Sequence, residues 1–185
     1  MLSRSAGVLL AVVLPLAACN SEPQIKAENA SVGEVANKVA EAGGSGKFVS
    51  PGKWESKVTL EEMTIPGMPP EAAARMKGLA GRSEGYQSCL TPEEAKRPKE
   101  DFFAGASKNC RYEHFTMGGG KIDAVMKCAQ EGTTQEMRMA GTYSSDAYNM
   151  AMTTTASGNG PQSGMKMRMR IDAKRVGECD GTEDS

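Results

Sequence analysis

The sequence predicts a mostly β fold: a single antiparallel meander forming a curved sheet or open barrel, with one or two short helices. Three observations carry that expectation. Trp54, Ser56, Val58 and Leu60 alternate with Glu55, Lys57, Thr59 and Glu61, the period of two that a half-buried strand requires. Gly118-Gly119-Gly120 separates two strand-like segments, Arg111 to Met117 and Lys121 to Ala129. Methionine recurs at every second position, as Met137 and Met139, Met150 and Met152, and Met165, Met167 and Met169.

The N-terminal segment is of another kind. Arg4 supplies a positive charge, and the apolar run Ala6 to Ala18 is short of the ~20 residues that span a bilayer as a helix. Residues 1–18 therefore read as a signal peptide. Leu16-Ala17-Ala18-Cys19 resembles the lipobox of bacterial lipoproteins, which implies acylation of Cys19 and cleavage before it. Of five cysteines, using Cys19 in this way leaves an even four. More than one acyl chain makes such an anchor stable. The expected address is the cell envelope, lipid-anchored in the outer membrane and facing the periplasm.

Residues 19–50 read as the lipidated N-terminus and a flexible tether, poor in aromatics and ending in Gly43-Gly44-Ser45-Gly46. Within them Val32, Val35, Ala36 and Val39 fall at helical spacing behind a Ser31/Glu34 capping box, a pattern that predicts a marginal tether helix.

The β domain is expected over residues 51–180, with 181–185 as a disordered tail. After the first strand, Pro66-Gly67-Met68-Pro69 makes a turn, Glu71 to Leu79 a helix, and Tyr86 to Leu90 a strand. Thr91-Pro92-Glu93-Glu94 starts another helix, which must stop by Pro98. Centring the next turn on Gly119 places Cys110 opposite Cys128, Tyr112 opposite Met126 and Thr116 opposite Ile122, and puts His114 on the same face as Cys110 and Tyr112. A hairpin through Ser144 to Ala147 pairs Tyr143 with Tyr148 and Met139 with Met152. A last turn centred on Asn159-Gly160 pairs Met152 with Met167 and Met150 with Met169. Met137, Met139, Met150, Met152, Met165, Met167 and Met169 then share one face with Ile171, and Lys166, Arg168 and Arg170 take the other.

Four cysteines allow three pairings. The hairpin selects one, since directly opposite residues have Cα atoms ~4.5–5.5 Å apart, within disulfide reach. Cys110 pairs with Cys128, and Cys89 with Cys179.

Several of these signatures together resemble the domain of unknown function 3617 family, small exported proteins of Gram-negative bacteria. They are Pro51-Gly52-Lys53-Trp54-Glu55, the Pro66-Gly67-Met68-Pro69 turn, Cys89-Leu90-Thr91-Pro92-Glu93-Glu94-Ala95, Asn109-Cys110, Lys127-Cys128, Gly141-Thr142-Tyr143, the methionine strands, and Arg175-Val176-Gly177-Glu178-Cys179. The resemblance covers roughly Ser50 to Asp180. It implies no established activity, so no catalytic role carries over to any residue.

A net charge of -1 and an aromatic content of 5% exclude the basic, aromatic surface of a nucleic-acid binder. The sequence lacks the Gly-x-Ser-x-Gly, His-Glu-x-x-His and phosphate-loop patterns, so no catalytic residue, cofactor or metal site is assigned. The domain reads as a non-enzymatic module that binds an apolar small molecule or an envelope partner protein through the methionine face. Two alternatives are weighed, a purely structural envelope component and a Cu(I) site built of soft thioethers. The basic face reads as solvated rather than lipid-binding.

Overall fold

The computed structural model describes residues 23–78, 83–96, 109–130, 132–160 and 162–181. Strand β1 (Ile25–Ser31) leads into helix α1 (Val32–Glu41) and a 3-10 turn (Ser45–Lys47). Next come β2 (Gly52–Thr64), α2 (Pro70–Lys77), β3 (Ser83–Leu90) and α3 (Pro92–Lys96). The chain then meanders through β4 (Cys110–Gly118), β5 (Lys121–Gln130), β6 (Thr133–Tyr143), β7 (Ala147–Gly158) and β8 (Lys166–Gly177). Among the described residues these eight strands form one antiparallel sheet in the order β1-β4-β5-β6-β7-β8-β2-β3, open between β1 and β3. The mostly β, open-sheet expectation holds, with three α-helices among the described residues because α1 belongs to the fold.

That is the largest departure from the sequence reading. Residues 19–50 are not a tether throughout: from Ile25 onward the segment is built into the domain. β1 pairs with β4 along its length, and Val32, Val35, Ala36 and Val39 of α1 are buried against Tyr112, Phe115, Met126 and Met139. The helical stripe was legible, but the surface it buries against lies on strands far downstream. Each fully buried valine is worth roughly 1.5–3 kcal/mol, enough to turn a marginal helix into a core element. The Ser31 cap forms as expected, with Glu34 N donating to Ser31 Oγ at 3.2 Å and Ser31 N donating to Glu34 Oε2 at 2.6 Å.

Beyond α1 the chain crosses from one edge of the sheet toward the other. Ser45 Oγ donates to the Ala95 carbonyl of α3 at 3.1 Å, and the buried Phe48 meets the ring of Tyr143 edge-on at 5.8 Å. α3 is capped as its sequence demands, with Glu94 N donating to Thr91 Oγ1 at 3.2 Å.

The β4–β5 hairpin departs from simple alternation at Glu113. Cys110 stands opposite Cys128 and Tyr112 opposite Met126 as expected, but a β-bulge between Tyr112 and His114 shifts the rest of the hairpin by one residue. Thr116 therefore faces Asp123 rather than Ile122. Because a one-residue slip inverts every side chain, His114 leaves the Tyr112 face, and Phe115 takes its place in the core. His114 Nε2 instead meets the Asp123 carboxylate on the face opposite α1.

The β7–β8 register differs by two residues. Met152 stands opposite Met169, Met150 opposite Ile171, and Thr154 opposite Met167. The turn is longer than Asn159-Gly160 alone, since Ala156 N donates to the Met165 carbonyl and Gly164 N to the Ala156 carbonyl. A shift of two keeps each side chain on its own face, so the methionine face survives.

Candidate functional site: the methionine face

The methionines lie on the face of the sheet that carries α1, which divides them. Met139 is buried in the core under α1, and Met137, Met150 and Met152 are half-buried against that core. Met165, Met167 and Met169 are also half-buried but lie outside it. Across the sheet, Met152 pairs with Met169 and Met169 with Leu60, while Met167 pairs with Met63. The result is a continuous half-buried apolar stripe over β7, β8 and β2.

Leu60 and Met63 thus join the seven methionines read from the sequence. Met63 was missed because the alternation of β2 breaks at Glu61-Glu62. A register shift between Leu60 and Glu62 turns Met63 back to the side of the other methionines. Two adjacent carboxylates inside an alternating strand are a legible signal for such a bulge.

At one end the stripe meets aromatic residues. Trp54, buried at 3% exposure, stacks on Tyr148 with ring centres 5.5 Å apart and donates Nε1 to the Ser50 carbonyl at 3.1 Å. Burial pushes the Tyr148 phenol above its ordinary value, while the hydroxyl of the buried Ser56 beside it acts in the opposite direction. Tyr112, in the core under α1, is pushed up by burial to about 12. Both phenols are neutral at physiological pH and serve as apolar surface.

No histidine joins the thioethers, since His114 and the methionines take opposite faces of the sheet. Among the described residues no group of three or more His, Cys, Asp or Glu side chains could hold a metal ion.

The basic face, opposite the methionines, is internally neutralised. Lys166 and Arg168 meet Glu62 at 3.2 and 3.6 Å, Arg170 meets Glu61 at 2.6 Å, and Arg138 meets Glu136 at 2.7 Å. Exposed pairs of this kind contribute little to stability, but they leave few free cations on these strands. A depression of about 680 Å³ lined by Glu55, Lys57, Asn149, Asp172 and Lys174, among others, has no methionine in its wall. In its wall Lys174 meets Glu55 at 3.0 Å, and the Asn149 side-chain amide donates to the Asp172 carboxylate.

Both expected disulfides are present. Cys110 and Cys128 have Cα atoms 4.0 Å apart, and Cys89 and Cys179 5.5 Å. The second reaches across β2, since Lys53 is flanked by Cys89 on β3 and by Gly177 on β8. Cys19 lies outside the described residues.

Residues 49–179 match the family described as protein of unknown function, DUF3617. The chain belongs to the DUF3617 family. The matched region covers β2 to β8 and both disulfides, whereas β1 and α1 lie before it. Neither a curated protein nor a solved structure matches the chain.

Proposed function

We propose that this DUF3617 member is a non-enzymatic lipoprotein of the cell envelope, anchored in the outer membrane through acylated Cys19, whose β domain binds an apolar ligand or an apolar segment of a partner protein. The observation that carries the binding role is the half-buried stripe of Met152, Met169, Leu60, Met167 and Met63. α1 covers the neighbouring part of the same face, packing on β1 and β4, while α2 touches β2 and the stripe stays only half-buried. Methionine suits such a surface, because an unbranched thioether adapts to ligands of differing shape. The lipobox-like tetrapeptide supports the anchor, as does the pairing of the other four cysteines, which leaves Cys19 the one thiol without a disulfide partner.

Native mass spectrometry of protein extracted from its own membranes tests both parts. The expected result is an acylated N-terminus and a co-purified apolar ligand or partner, the latter lost in Met152→Glu/Met169→Glu with the fold retained. A correctly folded wild-type protein with neither ligand nor partner would favour the purely structural reading.

A further inference from the structure

The leash between the proposed anchor and the sheet is short. The side chain of Gln24 occupies the space beside Gly118, and Ile25 pairs with Met117, so the chain enters the fold at the β4–β5 turn. Five residue steps separate Cys19 from Gln24. A fully extended chain covers at most ~3.6 Å per residue, so the entry point stands within about 18 Å of Cys19. β5, with 10 residues, is about 33 Å long, nearly twice that leash. The domain therefore hangs from one end rather than swinging free.

Charge at that end gives a second, independent observation. On the face opposite the methionines Arg138, Lys166, Arg168, Arg170 and Lys174 are each paired with a glutamate. Lys26, one residue into β1, and Lys121, the first residue of β5, are both exposed, and among the described residues neither makes an ion pair.

We infer that the β4–β5 turn end, with Lys26 and Lys121, is the surface this domain rests against an anionic phospholipid bilayer, while the end carrying Gly132 and Gly158 points away from it. This rests on the acylation of Cys19 proposed above. The leash supplies proximity, and the two lysines supply a preference for anionic headgroups that falls off within a Debye length.

The test uses the full lipidated protein in phosphatidylcholine vesicles, with and without phosphatidylglycerol, carrying a headgroup-bound energy acceptor. A fluorescent donor is placed at Thr142, opposite Lys121, or at Ser157, opposite Thr134 near the other end; both positions are exposed. Transfer from Thr142 is expected to exceed that from Ser157 by roughly twofold, given a separation on the order of a strand length. Phosphatidylglycerol should widen the difference, and Lys26→Gln/Lys121→Gln should abolish that widening. Equal or reversed transfer from protein that floats with the vesicles overturns the orientation, and widening that survives the double substitution overturns the charge contact. Flotation of wild type and Cys19→Ser is measured separately. Equal flotation of the two would overturn the acylation reading, and the orientation with it.

Discussion

Asn29 stands against Glu113 as the odd residue of its strand, and the two insertions cancel. The β1–β4 register is continuous from Ile25↔Met117 to Glu28↔His114 and resumes at Ala30↔Tyr112, skipping this one pair. Asn29 takes φ 47, in the left-handed region, so Ala30 points into the core although Ile25 and Ala27, at the opposite parity, do too. β1 thereby stays in phase with a bulged partner.

Asparagine tolerates that conformation better than other residues with a side chain, and a β-branched residue least of all. Asn29→Gly is expected to leave stability within a few tenths of a kcal/mol, whereas Asn29→Val should cost about 1–2 kcal/mol. Urea unfolding of the two variants checks the contrast, and equal stability would show that the left-handed turn is not required.

A helix in a tether can lose its apolar stripe without consequence, but a core helix cannot. Val35 is 0% exposed. Val35→Ala should destabilise by about 2 kcal/mol and Val35→Asp by more, because the latter also buries an unpaired carboxylate. The shift in denaturation midpoint measures this, and an unchanged midpoint would return residues 25–41 to the status of a linker.

The capping box makes stability depend on pH in a defined direction. The backbone N–H of Ser31, then its hydroxyl, hold the Glu34 carboxyl below its ordinary value of 4.5. A group depressed in the folded state stabilises most above its unfolded value, and the contribution is lost as pH falls through the folded one. Ser31→Ala, expected to cost about 1 kcal/mol at neutral pH, should therefore differ less from wild type as the pH drops below about 4.5. Denaturation series at neutral and acid pH test it, and a difference that grows on acidification contradicts it.

The two disulfides constrain loops of very different size, with sequence separations of 18 and 90. On the chain-entropy relation, removing Cys110–Cys128 should cost about 3 kcal/mol and removing Cys89–Cys179 about 4.6 kcal/mol. Paired Cys→Ala variants compared by denaturation give the order. A larger loss from the hairpin bond would mean that its place in the core, with Cys110 buried, outweighs loop length.

Local patterns carried much of this fold. The alternation of β2, the glycine turn, the facing Cys110 and Cys128, and both capping boxes depend on residues close in sequence, and all appear in the structure. What escaped the sequence reading depends on distant partners or on single inserted residues. The amphipathic stripe of α1 did not reveal that Tyr112 and Phe115 would receive it, and nothing in the composition of Ile25 to Ser31 marked an edge strand whose partner is β4. The bulges at Glu113 and Glu61 moved His114 out of the core and Met63 into the site. The methionine face survived an error in register because parity, rather than the particular pairing, decides which side a residue takes.

The order of strands in space also sets an order in time. β4 to β8 are sequential neighbours and can pair as each hairpin is completed. β1 and β2, made first, have no strand to one side until β4 and β8 exist, and the Lys53↔Gly177 contact waits for nearly the whole chain. Non-local pairings of this kind slow folding and leave unpaired edges exposed meanwhile. In the nascent N-terminal half the α1 valines stay solvent-facing until β4 to β6 arrive, and Trp54 and Val58 until β7 and β8 shelter them.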